Sequence, residues 1–125
     1  MVERGQIRDR ARSTQVIDYS GLRYGKITPT DIDGLIEYKD KAYIFIEYKS
    51  GKAEMPYGQR IALERLVDNL RKPAILIHAS HEHPETEDID GANAIAESIY
   101  YKGKWHLRGF VTVKSVIDSF LESIG

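Results

Sequence analysis

The feature that most constrains the fold of this chain is the run Thr30-Asp31-Ile32-Asp33-Gly34-Leu35-Ile36-Glu37-Tyr38, Lys39-Asp40-Lys41, Ala42-Tyr43-Ile44-Phe45-Ile46-Glu47-Tyr48-Lys49. It reads as a β-hairpin whose second strand ends in a charged triplet. Alternation places Tyr43, Phe45, Glu47 and Lys49 on one face of that strand and Ala42, Ile44, Ile46 and Tyr48 on the other. Both faces are apolar as far as Glu47, so the strand is expected to be covered on both sides. A carboxylate and an amine at the end of such a strand are costly to desolvate unless they have partners.

The register follows from the turn. Three residues, Lys39, Asp40 and Lys41, pair Tyr38 with Ala42, which sets Asp33 opposite Glu47 and Asp31 opposite Lys49. A slip of one residue would turn every side chain to the other face. Opposed residues hold their β-carbons roughly 5 Å apart, where two carboxylates repel and a carboxylate and an amine attract. The Asp33 and Glu47 pair therefore asks for a cation. A few hard oxygen ligands suit magnesium or manganese, which keep several waters.

An Asp on one strand and a Glu-x-Lys on the next resembles the metal site of the PD-(D/E)XK nuclease superfamily. The matching residues are Asp33, with Asp31 as the alternative, and Glu47-Tyr48-Lys49; Pro29-Thr30-Asp31 is a loose version of the Pro-Asp in the family's name. The resemblance spans about residues 27–77 and takes in the small stand-alone endonucleases of the Holliday-junction-resolvase-like or phage and archaeal type. It implies an α/β fold, a restriction-endonuclease-like mixed β-sheet flanked by helices. It also implies a magnesium-dependent endonuclease, with manganese as a substitute, that hydrolyses phosphodiester bonds in DNA and is directed by structure or by junctions. Asp33 and Glu47, with the main-chain carbonyl of Tyr48, would hold the metal, and Lys49 would orient or help deprotonate the attacking water.

The segment after Lys49 supports this reading. Pro56 stands where a helix can begin without needing its missing N–H. Ile61, Ala62, Leu63, Leu66, Val67 and Leu70 then form a wide apolar face at helical spacing, predicting a helix from about Pro56 to Leu70. Gln59 precedes Leu63 by four residues and Leu66 by seven, so it lies on the stripe that packs on the sheet, one turn from the helix start. It resembles the Gln that some branches of the superfamily use to assist the Lys; a cap in the first helical turn is the other reading. Ala74-Ile75-Leu76-Ile77-His78 reads as a buried strand, and a strand, helix, strand order predicts that it runs parallel to the Glu47 strand.

Other stretches carry weaker signals. Residues 3–13 suggest a short polar helix with Ile7 and Ala11 as its apolar stripe, and Glu3 is the one upstream acid available to the family pattern. Gln15 to Tyr19 and Leu22 to Ile27 have strand composition. Gly34 inside a strand suggests a bulge, a close backbone approach or a tight packing contact. His78, His81 and His83 invite a zinc reading, although no fixed ligand spacing supports one. Ala94 to Tyr101 and Trp105 to Leu107 flank a glycine turn as a hairpin; its Tyr100, Tyr101, Lys102, Lys104, Trp105 and Arg108 could stack on bases, or could pack on one another. Thr112 is placed to cap a closing helix striped by Val113, Val116, Ile117, Phe120, Leu121 and Ile124.

At 125 residues, 42% of them hydrophobic, residues 1–125 make one domain with a substantial core. No apolar run approaches the length of a membrane span, the start Met-Val-Glu-Arg is polar, and there are no cysteines, so a cytoplasmic protein is expected. The net charge of −1 means that nucleic-acid binding would depend on local patches such as Arg4, Arg8, Arg10, Arg12, Arg23 and Lys26. A nuclease of this size meeting two strands would gain from a two-fold homodimer. Two alternatives remain: a catalytically inactive nucleic-acid-binding or regulatory protein on the same scaffold, and an assembly protein in which Arg or Lys caps the acids in place of a metal.

Overall fold

The computed structural model describes residues 16–125. Five strands and two helices follow in the order β1 (Gly34–Tyr38), β2 (Ala42–Ser50), α1 (Tyr57–Asn69), β3 (Ala74–His81), β4 (Ile95–Tyr101), β5 (Lys104–Leu107) and α2 (Val113–Ser123). They form one mixed α/β unit. The strands make a single sheet in sequential order, with β2 and β3 parallel and the other neighbours antiparallel. The parallel pair is the one that the helix joins, since a crossover connection returns the chain to the same edge in the same direction.

The hairpin register follows its turn. Tyr38 pairs with Ala42 and Gly34 with Ile46. Lys39 and Asp40 both adopt positive φ, 51° and 59°, a conformation that matches the strand twist, and Lys41 N–H closes the turn onto Tyr38 O at 2.8 Å. No bulge occurs at Gly34: a β-carbon there would meet Ile46 at 3.6 Å, an ordinary packing contact.

Alternation along β2 and β3 divides the core into two layers. Ile44, Ile46, Ile75, Ile77 and Ala79 pack with Val113 and Phe120 of α2, while Phe45 and Leu76 pack with Leu63 and Val67 of α1. The helices therefore cover opposite faces of the sheet. Helix α1 begins after Pro56 and ends before Leu70, and α2 is capped by Thr112 Oγ1, which accepts from Ser115 N–H at 3.1 Å.

The two strands expected ahead of the hairpin, Gln15 to Tyr19 and Leu22 to Ile27, do not form among the described residues. Residues 16–27 form no strand; the sole pairing there is an isolated bridge between Tyr24 and Ile27 around Gly25, whose φ is 67°. Val16 is 86% exposed and Ile27 71%, so their β-branched composition finds no sheet face to pack on. The antiparallel part of the sheet thus starts at Gly34 rather than near Val16. The expected opening helix, its Glu3 and the basic run of Arg4, Arg8, Arg10 and Arg12 lie outside the described residues.

Candidate metal and catalytic site

Past Phe45 and Leu76 the α1-facing side of the sheet turns polar, and the first turn of α1 meets it through Gln59. Glu47 pairs in register with His78, and Lys49 with Ser80. Neighbours in register share a face, so these four side chains form two rows at the carboxyl ends of the central parallel strands. Open α/β sheets bind ligands at this end.

Glu47 is 1% exposed. Its Oε2 accepts from the main-chain N–H of Asp33 at 2.7 Å, and its Oε1 accepts from the side-chain amide of Gln59. The Asp33 carboxylate reaches back across the hairpin, where Oδ2 accepts from Tyr48 N–H at 2.9 Å. The same Gln59 binds Lys49, whose Nζ donates to Gln59 Oε1 at 3.1 Å, and its amide also approaches the Asp31 carbonyl at 3.3 Å. One amide from the first turn of α1 thus ties the Glu47 and Lys49 side chains to the strand entry at Asp31.

Asp33, Glu47, Lys49 and Gln59 are therefore brought together. Asp33 is exposed while Glu47 is buried, so the cluster opens to solvent on the Asp33 side. Asp31 reaches the cluster through its carbonyl. Tyr48 turns to the opposite face and donates its hydroxyl to Gly91 O at 3.0 Å, leaving only its main chain at the site. Burial lifts the Glu47 pKa above its ordinary value; the Asp33 N–H opposes this, and the Asp33 charge adds to it. Burial and the same Asp33 charge raise the Tyr48 hydroxyl.

The donor set leaves room for a divalent ion. A carboxylate offers about four lone-pair positions; the bonds just described occupy two on Glu47 and one on Asp33. Among the described residues no ion pair joins Lys or Arg to either acid. Nor do three or more His, Cys, Asp or Glu side chains gather there as a metal site. Two carboxylates and a carbonyl, with water for the rest, suit magnesium better than zinc. The three histidines do not converge: His78 lies inside β3 under α1, and His81 stacks on His83 with ring centroids 5.9 Å apart.

Two neighbours escape a reading of the sequence. The pairing of β3 with β4 shifts between His78 and Ala79, so that one residue of β3 faces two of β4. Ala96 and Ile99 both pack on the α2 side, which leaves Glu97 and Ser98 together on the other. Glu97 there accepts from the buried Ser80 hydroxyl, beside Lys49. Strict alternation would have sent Glu97 to the opposite face. The aromatic hairpin resolves mostly as packing: Tyr100 and Trp105 rings lie 5.4 Å apart, and their polar atoms donate to Asp68 at 2.8 Å and Glu64 at 2.6 Å.

A cavity of 570 Å³ lies on the far side of the sheet between α2 and residues such as Ile99, Tyr101 and Arg108. A second, of 520 Å³, adjoins the Glu47 row and is lined by Glu54, Tyr57, Arg60, His78, Ser98 and Trp105. Comparison with protein-family models, curated proteins and solved structures returned no significant match. No helix among the described residues is long and apolar enough to cross a membrane.

Proposed function

We propose that this chain is a magnesium-dependent endonuclease that hydrolyses phosphodiester bonds in DNA, on a restriction-endonuclease-like scaffold. The observation that carries the reading is the buried Glu47 carboxylate, which meets the Asp33 N–H and Gln59 in place of a basic side chain, with Lys49 held alongside by the same Gln59. An acid buried only for stability is ordinarily paired with a cation. Here Lys49 is held instead on a neutral amide, which disfavours the assembly-protein reading.

Asp33 and Glu47 would hold magnesium, or manganese in its place, with the Tyr48 carbonyl as a third ligand. A bound ion there supplies charge neutralisation at the phosphate and acidifies a coordinated water. Lys49 spends one of its three N–H groups on Gln59 and keeps two to orient the attacking water. The water oxygen bonds to phosphorus as the bond to the leaving oxygen breaks; the attacking water gives up a proton to solvent, and the departing oxygen takes one from it. Gln59 fixes the Lys49 amine relative to Glu47, which is a positioning role.

The test is incubation with branched, duplex and single-stranded DNA in magnesium, in manganese and in chelator. Cleavage is expected with either ion, none with chelator, and none for Lys49→Ala in a protein that melts like the parent. Cleavage that survives chelator, or a Lys49→Ala protein that cuts at the parental rate, overturns the assignment. Binding with a steep salt dependence and no cleavage under any condition replaces it with the inactive binding module.

A further inference from the structure

We propose that the 520 Å³ cavity beside Glu47 receives an unpaired base of the bound DNA strand. The inference rests on the nuclease reading, and it names the substrate class: DNA with a base already out of the stack. Among the described residues, the one buried side-chain polar atom without a hydrogen-bond partner is His78 Nε2, and His78 lines this cavity. A buried polar atom left unsatisfied is rare and asks for a partner that the protein itself does not supply. His78 is also the register neighbour of Glu47 on β2 and of Ser98 on β4, so the cavity continues the row that carries the acids.

The walls fit a base better than a phosphate. Arg60 and Glu54 contribute opposite charges, which leaves the cavity near neutral. Tyr57 and Trp105 offer aromatic surface, and His78 and Ser98 bring polar side chains to the same walls. A base taken out of its stack is held in this way, between aromatic or apolar faces and a few edge contacts. The cavity volume falls in the range of small-ligand sites, about 300–1,000 Å³.

The walls are also held in place before anything binds. Glu64 accepts from Arg60 at 3.2 Å and from the Trp105 indole N–H at 2.6 Å, so one carboxylate fixes both residues from behind. The Arg60 guanidinium in turn lies 5.5 Å from the centre of the Tyr57 ring. Holding these groups in advance lowers the ordering cost of binding.

The experiment compares a fully paired DNA duplex with the same duplex carrying one unpaired base, in chelator so that binding is read without cleavage. Trp105 is the single tryptophan, so its emission reports on the cavity directly. The bulged duplex is expected to bind about tenfold more tightly, the scale of one stacked base, and to quench Trp105. His78→Ala and Tyr57→Ala should each remove most of that preference while binding paired duplex like the parent. Tyr57 is 72% exposed, so its substitution spares the fold even if that of His78 does not. Equal affinity for the two duplexes, or a preference that survives Tyr57→Ala with unquenched Trp105, overturns the proposal. Repeating the pair in magnesium separates the two readings. A bulge preference without cleavage removes the nuclease and keeps the cavity; cleavage without preference removes the cavity and keeps the nuclease.

Discussion

Asp33 and Glu47 face each other across the hairpin, and the contact that joins them is the Asp33 main-chain N–H on Glu47 Oε2 at 2.7 Å. The Asp33 carboxylate is turned to the Tyr48 N–H instead. Each acid is thus held by one backbone donor of the opposite strand. That arrangement satisfies part of each carboxylate and leaves two negative charges close together at the mouth of a buried row.

A pH effect follows from this geometry. Burial makes Glu47 hold its proton more tightly in the folded chain than in the unfolded one, where 4.5 is ordinary. The folded state therefore binds more protons in the window between the two values, and stability falls as pH rises through it. In chelator, the parent should gain stability relative to Glu47→Gln as pH drops from neutrality toward 4.5. With magnesium the trend should reverse, because a ligand carboxylate has to be ionised. Melting temperatures of both proteins across that range check it, and a constant gap would falsify the assignment of the shift to Glu47.

Gln59 gives a second outcome. Its amide is a donor to Glu47 and an acceptor for Lys49, two bonds that no other natural side chain makes from that position with the same charge. Gln59→Ala should cost about 1–3 kcal/mol, since it strips a buried carboxylate of a donor. Gln59→Glu keeps the Lys49 contact but sets a carboxylate against Glu47, so its loss should be greater at neutral pH than in acid. Urea unfolding at two pH values distinguishes them; a Gln59→Glu protein as stable as the parent at neutral pH would contradict the hydrogen-bond assignment.

How much of this could be read in the sequence depends on whether the deciding contact is local. The pairing of Tyr38 with Ala42 is set by a three-residue turn, and parity then carries the register to Asp33 and Glu47. Gln59 is legible because helical phase is fixed by Leu63 and Leu66. Glu97 is not, because a bulge between distant strands reverses its face, and nothing near residue 97 announces which strand will cause it. Residues 16–27 mislead for the opposite reason: Val16, Ile17 and Ile27 have strand composition, but composition cannot supply the neighbouring strand that a ladder needs. The second cavity draws walls from the segment before α1 and from four separate elements, so its residues share no sequence pattern.

Tyr100 tests the packing of the aromatic hairpin on α1. Its hydroxyl is buried and donates to Asp68 Oδ2, and burial followed by that bond pushes its pKa up to about 12. The unfolded chain releases this proton near 10, so the folded state is favoured below that pH and loses the advantage as pH rises toward 12. Tyr100→Phe should therefore flatten the fall of stability at alkaline pH. Asp68→Asn should let Tyr100 ionise earlier in an absorbance titration; an unchanged titration would place the hydroxyl away from Asp68.

Asp33, not Asp31, is expected to be the first metal ligand. Because a divalent ion that binds only the folded state stabilises it by RT ln(1 + [L]/Kd), roughly 2.7 kcal/mol at a hundredfold excess over Kd, the melting temperature should rise with magnesium or manganese. Asp33→Asn should shrink that rise. In chelator the same variant should be no less stable than the parent, since Asn can still accept from the Tyr48 N–H while one of two neighbouring charges is gone. Asp31 is the control: it meets Gln59 through its carbonyl, a contact that Asp31→Asn preserves, so its carboxylate is expected to be dispensable for the metal effect. If Asp31→Asn abolishes the rise and Asp33→Asn leaves it, the ion is held two residues earlier than the hairpin register places it. A parent protein whose melting is indifferent to every divalent ion would leave Asp33 and Glu47 as a structural pair and remove the metal from the site.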